Sequence, residues 1–204
     1  MAADPLERLD RAFFERDPVE VARDLVGRWL RRDEVVLRIT EVEAYRGPHD
    51  TACHTSKGRT PRTAPMWGPP GRAYVYLCYG LHQMLNLVAG PEGTGAAILI
   101  RSGEPVAGLE TIRLRRGGKE GPVLLTGPGK VAAALGIDTS WSHHDLTEPG
   151  GLEILHGEPV ERLLVGPRIG IDYAAQADRE ALWRFAARDT PWVSVPRGLR
   201  PAER

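Results

Sequence analysis

The segment EVEAYRGPHDTACH, residues 41–54, places a carboxylate, an aromatic ring and an imidazole close together in the chain. Because alternate side chains of an extended strand share a face, Glu43 and Tyr45 project to the same side. The turn at Gly47 and Pro48 then allows His54 to return towards them. This group predicts the wall of a pocket for a planar ligand. The alternatives are a solvated carboxylate at Glu43 and a hydrogen-bonded loop histidine at His54.

The segment RAYVYLCYGLHQMLNLVAG, residues 72–90, predicts a β-hairpin that turns at Tyr79. Tyr74 and Tyr76 share one side of its first strand, whereas Tyr79 lies at the tip. An exposed tyrosine at a turn is a poor core residue, and a wedge between stacked bases would explain it. Asn86 interrupts an apolar run in the second strand, and its amide needs hydrogen-bond partners. A ligand edge is one candidate partner, and the neighbouring strand is the alternative.

Two further segments are suited to binding anions. GAAILIRSG, residues 95–103, predicts a buried strand that ends at Arg101, where a guanidinium is costly unless an anion pairs with it. Glu43 is a candidate partner, and a purely structural ion pair is the alternative. TGPGK, residues 126–130, predicts a glycine-rich turn at a helix start, where backbone N–H groups can approach phosphate. The spacing differs from that of a P-loop, so nucleotide hydrolysis is not supported.

Short elements of both kinds are predicted to position these residues. DPVEVARDLVGRWLRR, residues 17–32, predicts a helix with Asp17 as N-cap, and residues 35–45 predict a strand. Further helices are predicted in 105–117 and 126–137, a loop in 54–71, and strands in LEILHG (152–157), RIGID (168–172) and ALWRFAAR (181–188). The mixture predicts an α+β fold: a single domain, residues 1–204, with a curved, mainly antiparallel β-sheet, flanking helices and a protruding β-hairpin.

Composition narrows the class of protein. The chain has 204 residues, 27 basic and 27 acidic side chains, and no apolar run long enough to span a membrane. Its first residues lack the apolar core of a signal peptide, and two cysteines suggest no disulfide framework, so a cytoplasmic protein is expected. The histidine pair in SHHD, residues 142–145, has no evident third ligand, so no metal is expected.

The charge balance argues weakly against a nucleic-acid-binding protein, but the charges are unevenly distributed. No acidic residue lies between Asp50 and Glu92. The basic residues within this stretch are Lys57, Arg59, Arg62 and Arg72. They form a candidate surface for an anion, and scattered solvated side chains are the alternative.

Four ordered motifs resemble one known family. EVEAYRGPHDTACH, YVYLCYGLHQMLN, LTGPGK and RFAARDTPWVSV are similar to segments of the alkyladenine (3-methyladenine) DNA glycosylases, over about residues 13–197. Each motif alone is weak, whereas the four in order are highly specific. The resemblance implies an enzyme that needs no cofactor and excises alkylated purines from duplex DNA in base excision repair. The implied lesions are 3-methyladenine and 7-methylguanine, with hypoxanthine and ethenoadenine as further candidates.

The resemblance also implies roles for individual residues. Glu43 would be the general base for the attacking water, which Arg101 and a backbone carbonyl near Ile169 would also hold. Residues implied to surround the flipped base are Tyr45, His54, Tyr76 and Asn86. Residues implied or expected to contact DNA are Tyr79, which would fill the gap in the duplex, its neighbour Leu81, Lys130, Arg59 and Arg62.

The partner implied is damaged double-stranded DNA, bound by a monomer associated with the nucleoid and not with a membrane. Two other functions are considered. A non-catalytic damaged-DNA-binding module of the same fold would keep Tyr79 but have no use for Glu43. A small-molecule N-ribohydrolase would need the pocket but neither Tyr79 nor Lys130.

Overall fold

The fold is built around one long strand. The computed structural model describes residue 4 and residues 6–202. β2, Val35–Tyr45, pairs along one edge with β5, Ala96–Ala107. Its other edge pairs first with β1, Trp29–Arg32, and then with β8, Arg184–Ala187. The end of β2 that carries Glu43 is therefore paired on both sides.

The other strands extend this sheet in both directions. β3, Ala73–Cys78, and β4, His82–Ala89, form the predicted hairpin beside β5, while β6, Leu152–Leu155, pairs with β1. β7, Leu163–Gly166, and β9, Arg200–Pro201, continue from β8. In the described part of the chain the sheet has nine strands, and all their pairings are antiparallel. The prediction of an α+β domain with a mainly antiparallel sheet and a hairpin is confirmed.

Short helices cover the sheet. Within the described residues the α-helices are α1 Arg11–Phe14, α2 Pro18–Leu25, α3 Leu109–Arg115, α4 Pro128–Leu135 and α5 Gln176–Glu180. The 3₁₀ helices are His54–Lys57, Ala64–Trp67, Gly121–Leu124 and Thr139–Trp141. Asp17 caps α2 as predicted, since its carboxylate accepts the Val19 N–H at 2.8 Å. None of the helices in this part of the chain has the length and apolar character that crossing a bilayer requires.

The two faces of the sheet differ in character. Residues that pack in the main apolar core are Ala73 and Val75 in β3, Leu85 and Leu87 in β4, and Ile98 and Ile100 in β5. Their neighbours along the same strands line a cavity instead: Tyr74, Tyr76, Met84, Asn86, Leu99 and Arg101. Because side chains alternate along a strand, one face can pack against α2 and α4 while the other carries polar and aromatic groups.

The predicted helix 17–32 is wrong beyond Leu25. The chain leaves the helix at Gly27, which has a φ of +97°, and then forms β1. A Cβ at Gly27 would lie 2.5 Å from the carbonyl oxygen of Glu158, so only glycine fits there. Pairing of β1 with β2 and with the distant β6 therefore overrides the helical pattern of Trp29–Arg32.

Two other predicted boundaries and one predicted strand are also wrong. Arg101 does not end its strand, because β5 continues to Ala107 and α3 begins only at Leu109. The predicted helix 105–117 therefore begins four residues too early. Residues 168–172 form a loop instead of a strand, since hydrogen bonds to side chains of β2 and of the loop after it replace a sheet ladder.

Candidate active site

Glu43 lies at the centre of the site and has no exposed surface. The Ile169 N–H donates to its Oε1 at 2.7 Å, and Arg101 Nη1 lies 3.2 Å from the same oxygen. The Tyr45 hydroxyl donates to Oε2 at 3.0 Å, as expected for two side chains on one strand face. Tyr45, Arg101 and Ile169 line the cavity, whereas the carboxylate lies directly behind them. Glu43 is therefore not the solvated surface acid of the alternative interpretation.

Arg101 lies between two buried carboxylates. Its Nε is 3.4 Å from Glu41 Oε1, and its Nη1 is the atom that faces Glu43. Glu41 also accepts hydrogen bonds from Ser102 Oγ at 2.9 Å and from Arg184 Nη1 at 3.1 Å. The burial of two carboxylates is offset by two guanidinium groups, as buried charges require. Arg101 thus forms the predicted pair with Glu43, and Glu41 is a partner that the sequence interpretation missed.

The cavity in front of these groups has a volume of about 480 Å³, which is within the usual range of small-molecule sites. Its walls include Tyr45, His54, Tyr74 and Tyr76. The rings of His54 and Tyr76 are nearly perpendicular, with 4.6 Å between their centroids, and His54 Nδ1 lies 2.9 Å from the Tyr74 hydroxyl. Flat rings therefore line several sides of the cavity, as the sequence predicted, and the binding of a planar ligand between them stays a prediction.

Asn86 lies in β4, the strand of the hairpin that pairs with β5. Its side chain is only 4% exposed and lines the cavity. The amide nitrogen donates to the backbone carbonyls of Tyr74 at 3.1 Å and Met84 at 3.2 Å. The amide nitrogen thus bonds within the hairpin, as the alternative interpretation of a strand-pairing amide expected. The side chain also lines the cavity, so its position agrees with the predicted contact to a ligand.

The hairpin tip presents an aromatic ring to solvent at the mouth of the cavity. Tyr79 is 93% exposed and lines the cavity, and Leu81 beside it is 77% exposed. Tyr79 and Gly80 have φ values of 51° and 69°, and the Leu81 N–H closes the turn onto the Cys78 carbonyl at 3.0 Å. A positive φ costs a non-glycine residue about 1 kcal/mol. An exposed ring on a strained turn is typical of a functional position.

The predicted basic residues occupy different parts of this surface. The Arg62 guanidinium lies over the Tyr76 ring at 5.1 Å and lines the cavity, whereas Arg59 is exposed away from it. Lys130 lies in the first turn of α4. Partial burial and, after it, the charges of Arg116 and Lys119 lower the pKa of Lys130. This mutual repulsion makes the surface suitable for an anion.

The His54 ring is kept neutral at physiological pH. Burial lowers its pKa from 6.5 to about 4, and the charges of Arg62 and Lys57 contribute to the same shift. A neutral imidazole can lie against a bound ligand without adding a positive charge.

This pKa predicts how stability depends on pH. Between pH 6.5 and 4 the unfolded chain takes up a proton at His54 that the folded protein does not, so His54 should reduce stability as the pH falls. We expect this loss to be about 1–2 kcal/mol for a ring that is partly accessible to solvent. The free energy of unfolding is measured with urea at pH 7 and pH 4 for wild type and for His54→Gln. Between these pH values wild type should lose about 1–2 kcal/mol more than the variant. The exposed His49, changed to glutamine, is the control; an equal pH effect in all three proteins would contradict the prediction.

Several residues of the site were missed by the sequence interpretation. The Arg168 guanidinium binds Asp50 through two hydrogen bonds of 2.5 and 2.9 Å and lies between the rings of Tyr45 and Trp183. Tyr173 is exposed at the cavity mouth and donates to the Ala52 carbonyl at 3.0 Å. Asp50, the acid of the segment GPHD, and Arg168, next to Ile169, were the sequence signals that could have pointed to this pair. Among the residues described, no group of three or more His, Cys, Asp or Glu side chains is placed to hold a metal.

The known proteins that are similar to this chain carry the names of one family of DNA glycosylases. Residues 12–191 match the profile of a family described as methylpurine-DNA glycosylase. A DNA-3-methyladenine glycosylase of Arabidopsis thaliana is 63% identical over 192 residues, which are 93% of this chain and 75% of that protein. A putative 3-methyladenine DNA glycosylase of Nitrosococcus oceani is 61% identical over 191 residues, 94% of this chain and 95% of its own. One of Methanocella arvoryzae is 44% identical over 191 residues, 91% of this chain and 95% of its own.

The match includes every residue of the candidate site named above, from Glu41 to Arg184. The extent of the match and the identity of these relatives bear out the resemblance of the four motifs. The chain belongs to the methylpurine-DNA glycosylase family.

Proposed function

We propose that the protein is a monofunctional DNA glycosylase that flips alkylated purines out of duplex DNA and hydrolyses their N-glycosidic bond. Its substrates would be 3-methyladenine and 7-methylguanine, with hypoxanthine and ethenoadenine released more slowly. The observation that carries the proposal is a buried carboxylate, Glu43, behind an aromatic cavity with an exposed tyrosine at its mouth. Family membership and the names of the relatives support it.

Binding would begin with extrusion of the damaged nucleotide, at a cost of a few kcal/mol. Tyr79 would restack the gap that the base leaves, while Arg59, Arg62 and Lys130 would contact phosphates. The extruded base would stack against Tyr45 and Tyr76. Each contact between a base and an aromatic ring contributes about 1–3 kcal/mol, so these rings can offset the cost of extrusion.

Hydrolysis would then proceed at C1′ of the flipped nucleotide. The C1′–N bond breaks, its electron pair leaves with the purine, and the sugar becomes an oxocarbenium-like cation. Glu43 would stabilise that cation and take a proton from the water whose oxygen bonds to C1′. Oε1 already faces the Ile169 N–H and Arg101, whereas Oε2 accepts only the Tyr45 hydroxyl among the described residues. Oε2 is therefore the atom we assign as proton acceptor, with Arg101 and the Ile169 carbonyl as further contacts for the water.

The charge of the base should determine how fast it is released. A cationic purine such as 3-methyladenine in DNA leaves without further protonation, whereas hypoxanthine must first gain a proton. We therefore expect 3-methyladenine to be released faster than hypoxanthine. Methylated duplex DNA and a duplex with one hypoxanthine, each in single-turnover reactions followed by chromatography of the free bases, would measure the two rates.

The same assay, extended to free alkylated nucleosides and to undamaged duplex as competitor, distinguishes the other functions. A DNA-binding module without activity would retain the damaged duplex and release no base. An N-ribohydrolase would release bases from free alkylated nucleosides as fast as from duplex DNA, and undamaged duplex would not compete. The proposed enzyme requires release from the duplex, with an abasic strand that stays intact until it is heated in alkali.

A further inference from the structure

The ring of Tyr45 carries a cation on one face. The Arg168 guanidinium carbon lies 4.7 Å from the centroid of Tyr45 and 4.9 Å from that of Trp183. The Arg168 side chain has no exposed surface, and it does not line the cavity as Tyr45 does. The guanidinium therefore covers the face of Tyr45 that is turned away from the cavity, leaving the other face for a ligand.

This cation is held rigidly. Asp50 accepts from both terminal nitrogens of Arg168, at 2.5 and 2.9 Å. The same two nitrogens donate to the carbonyls of Ala44 at 3.0 Å and Asp178 at 3.2 Å. Asp50 in turn accepts the N–H groups of Arg46 and Ala52. A guanidinium fixed by four hydrogen bonds cannot move away when a ligand enters.

A fixed cation changes what the free face of the ring can bind. The attraction between a cation and an aromatic ring comes from the electron-rich face. Arg168 already uses this attraction, and its charge also repels a second cation across the ring. Tyr76 carries a guanidinium as well, that of Arg62 at 5.1 Å. The aromatic walls are thus less favourable to a cationic base than bare tyrosines would be.

We propose that Arg168 determines the lesion range of the cavity by weakening the preference of Tyr45 for cationic alkylated purines over neutral ones. The inference rests on the proposed function, in which Tyr45 stacks against the flipped base. Arg168 touches no base, so it is a positioning residue that acts through the Tyr45 ring. Asp50 balances its charge and sets its position.

The test removes both charges together, so that neither is left buried alone. The double variant Arg168→Gln/Asp50→Asn keeps a planar amide between the two rings and leaves the net charge unchanged. Binding is measured with duplexes whose 2′-fluoroarabino sugar resists cleavage, carrying either cationic 7-methylguanine or neutral hypoxanthine. We expect the ratio of the two dissociation constants to shift about three- to tenfold towards the cationic base.

The matched control is Arg46→Gln/Asp17→Asn. Arg46 pairs with Asp17 at 2.7 Å and lies over Trp183 at 5.4 Å. The control variant therefore removes an arginine–aspartate pair next to the same tryptophan. No contact of Arg46 with the Tyr45 ring is among those described. Its ratio should equal that of wild type. If the Arg168 double variant does not fold, Arg168→Met/Asp50→Asn provides the second test, since it also removes both charges together and should shift the ratio in the same direction.

The possible results distinguish a failure of the inference about Arg168 from a failure of the proposed function. An unchanged ratio in every folded variant, with both affinities weakened equally, would mean that Arg168 is merely structural and would overturn the inference. A shift towards hypoxanthine would also overturn it. If wild type binds neither lesion duplex better than undamaged DNA, the proposed function itself fails.

Discussion

Glu43→Gln is expected to lower the single-turnover rate of base release from methylated duplex DNA by at least about 10³-fold. A glutamine amide cannot take a proton from water, and it carries no charge to stabilise an oxocarbenium ion. General-base catalysis alone contributes about 10²–10⁴-fold, and electrostatic stabilisation adds to it. This is the largest change in activity that we predict for a single substitution.

The same variant should fold and bind the lesion. The amide oxygen of the introduced glutamine can accept the Ile169 N–H that now donates to Oε1, and its amide nitrogen can donate to the Tyr45 hydroxyl. Arg101 keeps its second carboxylate, Glu41. The dissociation constant for a duplex with one lesion, measured by fluorescence anisotropy, should therefore stay within a fewfold of wild type.

A matched control is Glu153→Gln. Glu153 is also a buried carboxylate paired with an arginine, Arg31. It lies in β6, and Arg31 does not line the cavity, whereas Arg101, the partner of Glu43, does. Its base release should match wild type. Release by Glu43→Gln at a near wild-type rate would refute the assignment of the general base, whatever its binding.

Much of the site follows from local patterns in the sequence. The strand of residues 35–45 places Glu43 and Tyr45 on one face, and the hairpin places Tyr79 at its tip, as predicted. These features depend on period-two alternation and on turn chemistry, which act over a few residues. The aromatic slot could be predicted for the same reason, because Tyr74 and Tyr76 share a face.

The parts that could not be predicted depend on contacts between distant residues. Arg168 and Asp50 are 118 positions apart, and neither residue type indicates the other. Residues 29–32 have a helical apolar pattern, but pairing with β6 converts them to a strand. Arg101 seemed to end its strand because the apolar run stops there, whereas β5 continues as a polar strand against β2. Tertiary pairing overrides local preference in each case.

Tyr79→Ala is expected to weaken binding to a lesion duplex by about ten- to hundredfold. The ring makes its contribution only in the complex, by restacking the gap that the flipped base leaves, and one such stacking contact is worth about 1–3 kcal/mol. The free protein should lose little, since a side chain that is 93% exposed packs against almost nothing. The midpoint of thermal unfolding should therefore be close to that of wild type.

The affinity for a free base shows whether Tyr79 acts as a wedge in the duplex or as part of the cavity wall that holds the base. Tyr79 lies at the cavity mouth, so a role in holding the base itself would make Tyr79→Ala weaken the binding of free 3-methyladenine, measured by equilibrium dialysis, as much as duplex binding. A wedge acts only on a duplex, because only a duplex has a gap to fill, and the free base should then bind almost as it does to wild type. Leu114→Ala removes another exposed apolar side chain, on α3, and should leave both affinities unchanged. Equal losses for duplex and free base in Tyr79→Ala would contradict the wedge and place the ring among the residues that bind the purine.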